Sequence, residues 1–156
     1  MTEASRTIAF LTARKLSLAT AESCTGGLLG KLLTDVPGAS AVYLGGIISY
    51  AYSVKETLLN VDPAILGEKG AVCPEVAVQM AKAVRERLCS DVAISTTGNA
   101  GPGTDPLNPK VGEIYVGISS AKGSAAYRLQ LNGNREENRL ECCRAALRFL
   151  LEELHD

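Results

Sequence analysis

The feature that most constrains this chain is a repeated change of hydrophobic period, in which short β-type runs end in loops of small residues and give way to apolar residues spaced by three and four. Leu16, Leu18 and Thr20 alternate with Ser17 and Ala19, and the run then enters Glu22-Ser23-Cys24-Thr25-Gly26-Gly27. Leu28, Leu29, Leu32, Leu33 and Val36 follow at the helical period until Pro37-Gly38 stops them. The spacing predicts a strand, a loop and a helix in succession, with a further helix over 3–14 before them. A β-branched and aromatic run from Ala41 to Tyr50 predicts a second strand. Ser53-Val54-Lys55-Glu56 then has the form of a capping box, which puts Lys55 in the first turn of a new helix.

Asp62-Pro63 opens a short helix, and Pro74 a longer one whose Val76, Ala77, Met80, Ala81, Val84 and Leu88 share a face. Val92, Ile94 and Thr96 predict a third strand, running into the loop Thr97-Gly98-Asn99-Ala100-Gly101-Pro102-Gly103 and its extension through Asp105, Pro106 and Pro109. Ile114, Val116 and Ile118, then Tyr127, Leu129 and Leu131, alternate on either side of Lys122-Gly123 as an antiparallel hairpin. Leu140, Cys143, Leu147, Leu150, Leu151 and Leu154 define a long last helix, with Asn134 and Glu137 placed to cap it. Helices alternating with strands early, and a hairpin late, predict an α/β fold: a three-layer α/β/α sandwich around a mixed, mostly parallel sheet of about five or six strands. No repeat or linker divides the chain, so one domain over 1–156 is expected. Its 156 residues, 46% of them apolar, can bury a core without a metal or disulfide framework.

Charge and composition exclude several kinds of function. Sixteen Lys and Arg against 17 Asp and Glu, and a pI near 5.9, give no general attraction to nucleic acid or to anionic membranes. No run approaches the roughly 18 apolar residues of a membrane span, and a start carrying Glu3 and Arg6 does not read as a signal peptide, so a cytoplasmic location is expected. The five cysteines, with no Cys-x-x-Cys spacing, read as buried thiols in a reducing compartment. The single histidine, His155, is next to the last residue, which argues against a histidine-dependent triad and against a His-rich metal site.

The loops at 22–27 and 97–103 are where chemistry would gather, because open α/β sheets bind ligands where strands end and helices begin. As a local pattern, Glu22 to Gly27 equally describes a tight turn in which Gly26 and Gly27 permit positive φ. A nucleotide P-loop through Gly26, Gly30 and Lys31 is rejected, since the spacing is a residue short and Leu32 replaces the Mg²⁺-binding hydroxyl. Glycines at 98, 101 and 103 do not form a dinucleotide fingerprint either. Lys55 is more informative: a cation in a helix's first turn meets the positive end of the macrodipole, which disfavours its charged form. A neutral amine can activate a serine without histidine, although Ser-x-x-Lys is absent and the pair would have to be assembled by folding. The plainer readings are an exposed helical lysine for Lys55, a small buried hydrophobe for Cys24, and a surface side chain for Arg135, which could alternatively meet a phosphate at a helix start.

Five ordered motifs carry a family resemblance over nearly the whole chain. They are Ala21-Glu22-Ser23-Cys24-Thr25-Gly26-Gly27, Leu33-Thr34-Asp35-Val36-Pro37-Gly38-Ala39-Ser40, Gly70-Ala71-Val72, Thr97 to Gly103, and Val111-Gly112 with Gly133-Asn134-Arg135. Together they resemble the C-terminal domain of the competence/damage-inducible CinA proteins and its stand-alone form, the nicotinamide-nucleotide amidases. The resemblance implies hydrolysis of nicotinamide mononucleotide to nicotinate mononucleotide and ammonia in pyridine-nucleotide salvage. It implies no metal or organic cofactor, a small-molecule pyridine nucleotide as the partner, and self-association into a homo-oligomer. By motif, Ser23 resembles the family's nucleophile, activated by Lys55 and Tyr50. Ser40, Thr97 and Arg135 match positions that hold substrate, with Thr25, Gly26 and the loop Gly98, Asn99, Ala100 and Gly101 supplying backbone groups. The chain departs from the family's Tyr-Ser-Asn-Glu-x-Lys by reading Tyr50-Ala51-Tyr52-Ser53-Val54-Lys55, which lacks the acidic residue. It also has Asn99 where isoleucine is commoner and Cys73 where serine is. The alternative function is a non-catalytic nucleotide-binding module, or a protein partner in competence or DNA-damage responses.

Overall fold

A computed structural model describes residues 1–155 of the chain. The elements run α1 (Glu3–Arg14), β1 (Leu18–Glu22), α2 (Leu28–Thr34), a 3-10 turn (Ala39–Ala41), β2 (Tyr43–Ile48), α3 (Tyr52–Leu59), α4 (Pro63–Lys69), α5 (Pro74–Leu88), β3 (Val92–Gly98), β4 (Glu113–Ser120), β5 (Gly123–Gln130) and α6 (Arg135–His155). One five-stranded sheet has the order β2-β1-β3-β4-β5. β1 pairs in parallel with both β2 and β3, and β4 is antiparallel to both its neighbours, so four strands point one way and β4 the other. This is the mixed three-layer α/β arrangement expected from the alternation of periods.

Two apolar clusters cover the two faces of the sheet. Ile8 and Leu11 of α1, Leu29 and Leu33 of α2, and Cys142, Cys143, Leu147 and Leu150 of α6 pack on Leu18, Ile94, Val116 and Ile118. On the other face Leu59, Leu66, Val76, Met80 and Val84, from α3, α4 and α5, pack on Ala19, Ala21 and Ala93. β1 therefore sends residues of opposite parity to opposite cores, and all five of its residues are buried, as a central strand requires. The second face is lined with small side chains because α5 lies close against it. Ser95 Oγ donates to the Ala77 carbonyl of α5 at 2.6 Å, and a Cβ built on Gly117 of β4 would come within 2.2 Å of that same oxygen.

Several boundaries differ from the sequence expectation. β1 starts at Leu18, two residues later than Leu16, and continues through Glu22, because residues 18–22 are the ones with ladder partners on both sides. β2 starts at Tyr43, since Ala39–Ala41 close a 3-10 turn after Gly38 at φ 87°. α3 begins one residue before Ser53, and its N-cap is Ala51, with no side-chain cap, so the capping box at Ser53 does not form. The cap foreseen for α6 does form: Asn134 Oδ1 accepts the Glu137 N–H at 2.8 Å and Glu137 Oε1 accepts the Asn134 N–H at 2.9 Å. Cys89, the left-handed C-cap of α5, is exposed, whereas the other four cysteines are buried; all five are free thiols.

Replacing Gly117 with alanine forces a methyl group against the α5 backbone, where no flexible side chain can yield. Gly117→Ala is expected to destabilise the protein by about 1–3 kcal/mol in chemical denaturation. An unchanged midpoint would show that α5 does not lie as close to β4 as described.

Candidate active site

The parallel strands β1, β2 and β3 end side by side, with Glu22 opposite both Ile48 and Thr96. The residues that follow these ends, Ser23, Ser49-Tyr50 and Asn99, are thereby delivered to one edge of the sheet, the edge where open α/β sheets bind ligands. The backbone there is locked: the Ser23 N–H donates to the Thr96 carbonyl at 3.0 Å and the Ser49 N–H to the Glu22 carbonyl at 2.8 Å. A cavity of about 350 Å³ opens at this edge, lined among others by Ser23, Tyr50, Lys55, Thr97, Asp105 and Arg135.

Lys55 is the fourth residue of α3, and its side chain turns inward to reach the end of β1; the residue is only 1% exposed. Its Nζ is 2.8 Å from Ser23 Oγ, 2.6 Å from the Ser49 carbonyl oxygen and 3.1 Å from the Tyr50 carbonyl oxygen. Burial pushes the amine down to about 8, with Cys24 and Asp105 pulling the other way. The expected direction is therefore found, but desolvation is the principal cause, ahead of anything at the helix terminus. The same three contacts serve either protonation state. An ammonium donates one hydrogen to each of the three oxygens, whereas a neutral amine gives its two hydrogens to the two carbonyls and turns its lone pair to the Ser23 hydroxyl. In the neutral form the two carbonyls would thus fix the direction of the amine's lone pair toward Ser23.

The turn after Ser23 is organised by Glu22, whose buried carboxylate reaches the N-terminus of α2. Its Oε1 accepts from Thr25 Oγ1 at 2.6 Å, the Gly27 N–H at 3.1 Å and the Leu29 N–H at 2.9 Å, and its Oε2 accepts from the Gly30 N–H at 3.0 Å. The anion site that a helix start offers is filled by the chain's own carboxylate. Neither Thr25 nor Gly26 is therefore brought into the cavity lining. Thr25 is fully buried, its hydroxyl shared between Glu22 and Thr96, and the Gly26 N–H is spent on the Ser23 carbonyl.

The remaining expected residues divide. Thr97, Gly98, Asn99 and Arg135 line the cavity. Thr97 Oγ1 donates to the Ala71 carbonyl at 2.7 Å, and the Asn99 amide spans its loop through the Asn108 and Lys110 carbonyls, each at 3.0 Å. Gly101 contributes its carbonyl, which accepts from Arg135 at 2.9 Å. Tyr50 lies at the mouth, 60% exposed, and its hydroxyl accepts from Arg135 at 3.2 Å. What Tyr50 gives the amine is its carbonyl; its hydroxyl is turned to Arg135, so a proton relay through that hydroxyl does not fit the geometry. Ser40 is not brought to this cavity but lines a separate concavity with Thr34, Pro37 and Tyr43. His155 closes α6, a helix about 30 Å long whose first residue is at the cavity, and its ring rests against Phe10.

Other residues at the site were not foreseen. Asn138 and Arg139 sit three and four positions after Arg135, on the same face of α6. Asn138 Nδ2 donates to the Ala100 carbonyl at 3.0 Å, and Arg139 donates to the Cys24 carbonyl at 3.0 Å and the Thr25 carbonyl at 2.9 Å. One helix end therefore braces both loops. Tyr52 donates its hydroxyl to Asp105, which ties α3 to the long loop after β3. The i, i+3, i+4 spacing from Arg135 was the available signal for the first pair. Among the described residues no three His, Cys, Asp or Glu side chains cluster as a metal site, and no helix is long and apolar enough to cross a membrane.

Glu22→Gln would set an amide NH₂ against one or more of the backbone N–H donors that the carboxylate now satisfies. It is expected to cost about 1–3 kcal/mol in denaturant titration, because buried donors lose their acceptor. A loss well under that range would mean that the carboxylate does not organise the turn.

The CinA C-terminal domain family model matches residues 2–154. A CinA-like protein of Chlorobaculum tepidum is 45% identical over 148 residues, covering 92% of this chain and 35% of the relative. A CinA-like protein of Chlorobium limicola is 47% identical over 143 residues, covering 88% of this chain and 33% of the relative. The chain thus spans about a third of the length of these curated relatives. Among solved structures, the competence/damage inducible protein CihA from Agrobacterium tumefaciens superposes with a TM-score of 0.91 at 34% identity, covering 96% of this chain and 92% of its own. A CinA superfamily protein from Escherichia coli gives a TM-score of 0.92 at 30% identity, with 96% and 87% covered.

Proposed function

The chain belongs to the CinA C-terminal domain family, and on that premise we propose that it is an amidohydrolase that converts nicotinamide mononucleotide to nicotinate mononucleotide and ammonia. The observation that carries this reading is the buried Lys55 amine 2.8 Å from Ser23 Oγ, with two carbonyls taking up its other hydrogen-bonding positions. Neutral Lys55 accepts the Ser23 proton as Oγ attacks the carboxamide carbon, forming the carbon–oxygen bond and a tetrahedral oxyanion. The Gly26 and Gly27 N–H groups are engaged elsewhere, so the N–H of Cys24, next to the nucleophile and at the cavity wall, is the oxyanion donor assigned here. The Lys55 ammonium returns its proton to the departing nitrogen, ammonia leaves, and an acyl ester remains on Ser23. Water then gives a proton to Lys55, attacks the ester, and releases the carboxylate as Ser23 recovers its proton.

Arg135 supports binding of the substrate's phosphate, since it stands at the cavity mouth and α2's helix start is already occupied by Glu22. Lys55 and Arg135 thus divide their work between reacting centre and anionic tail. The near-neutral chain has no broad basic surface, which fits a small anion held in a local pocket better than a nucleic acid.

Ser23→Ala and Lys55→Ala are each expected to lower ammonia release from nicotinamide mononucleotide by roughly 10³-fold or more. Near-normal release from either variant would refute the assigned roles. Because the base works in its neutral form and titrates at about 8, kcat/KM should rise about tenfold per pH unit below that value and level off above it. A flat profile between about pH 6 and 9 would contradict a titrating lysine base.

A further inference from the structure

Asp105 brings a negative charge into a cavity that otherwise holds the two cations Lys55 and Arg135. Its carboxylate is held from three sides: Oδ2 accepts the Tyr52 hydroxyl and, at 3.3 Å, the Ala71 N–H, while Oδ1 accepts the Leu107 N–H at 3.0 Å. Its own N–H donates to Asn99 Oδ1 at 2.8 Å. Burial, reinforced by the bond to Asp105, pushes the Tyr52 phenol up to about 12, so that it stays a donor. Every one of these partners is neutral. None of these donors is a lysine, arginine or histidine, and Lys55 feels the charge from across the cavity without bonding to it. A charge fixed in place by neutral donors, coupled to Lys55 only across the cavity and facing that cavity, is preorganised for a cation, and fixing it beforehand removes the cost of ordering it on binding.

A purely mechanical role, pinning the loop after β3 to α3, would not require the charge. Asparagine has the same shape and can retain most of these bonds with the Tyr52 hydroxyl turned to accept. We propose that Asp105 is a specificity residue that binds the positively charged ring of the substrate. The site thereby takes N-substituted pyridinium carboxamides with an anionic tail in preference to neutral aromatic amides. This rests on the amidase reading and adds to it a requirement on ring charge that neither Ser23 nor Lys55 imposes. Arg135 and Asp105 then read the two ends of one dipolar ligand.

The test uses two ligands with the same carboxamide, ribose and phosphate: nicotinamide mononucleotide, and benzamide riboside 5′-phosphate, whose ring is uncharged. Their dissociation constants are measured by calorimetry on Ser23→Ala, which cannot turn over, and on Ser23→Ala with Asp105→Asn. The first protein should bind the cationic ligand roughly tenfold tighter, as one partly solvated charge pair allows. The second should lose that preference through weaker binding of the cationic ligand alone. Tyr52→Phe on the Ser23→Ala background, which keeps the carboxylate, should retain the preference, and it serves if Asp105→Asn fails to fold. Equal affinity of Ser23→Ala for both ligands, or equal weakening of both by Asp105→Asn, would overturn the proposal. If the unsubstituted protein releases ammonia from nicotinamide mononucleotide and yet Ser23→Ala shows no ring-charge preference, only the Asp105 assignment falls. If it neither binds nor hydrolyses either ligand, the amidase reading falls and takes the assignment with it.

Discussion

The site depends on an amine removed from water and set against a serine hydroxyl. Lys55 is among the largest fully buried side chains of the protein, and nothing but burial is needed to bring its titration from the usual 10.5 to about 8. The same burial has a cost to the fold. Between those two values the unfolded chain binds more protons than the folded one, so stability rises with pH across that window, and below about 8 the whole penalty of burying the ammonium remains. The three oxygen acceptors offset part of it. A buried cation with no carboxylate partner is a poor way to stabilise a protein, which makes chemistry the better account of its presence.

The sheet explains why that contact is possible. Parallel pairing of β1 with β2 and β3 sets Ser23 and Ser49 next to each other, each locked by a backbone hydrogen bond to the neighbouring strand. α3 starts immediately after the β2 end, so its first turn can reach back over Ser23. Glu22 fills the start of α2, and Arg139 holds the carbonyls of Cys24 and Thr25 from α6. The loop and Ser23 are thereby fixed by groups outside the cavity lining or at its wall.

The fold was largely legible because its periods are clean: the alternation of β1, the apolar face of α5 and the Asn134–Glu137 cap are local patterns with local causes. Boundaries at Leu18 and Tyr43 were not, because they are set by where neighbouring strands offer partners. Ser23 and Lys55 were individually legible through motif resemblance, but their contact spans 32 positions and follows only from strand order. The sequence pattern puts Glu22 in a loop, whereas it ends β1 and caps α2, since nothing local reveals which N–H groups a carboxylate will meet. The resemblance also singled out the missing acidic residue at 51–54, while Asp105, arriving from the loop after β3, could not be tied to Tyr52 by spacing. Tyr50 and Ser40 were carried over by motif, and the fold turns the hydroxyl of one to Arg135 and lines a separate concavity with the other.

The most direct test of the account is the titration of the Lys55 amine itself, followed by NMR on protein labelled at the lysine Cε and Nζ, with Lys55→Arg to assign the signal. A midpoint near 8, well separated from those of the other lysines, is the predicted result. A Lys55 signal that stays in its charged form up to about 10, like an ordinary solvated lysine, would contradict it.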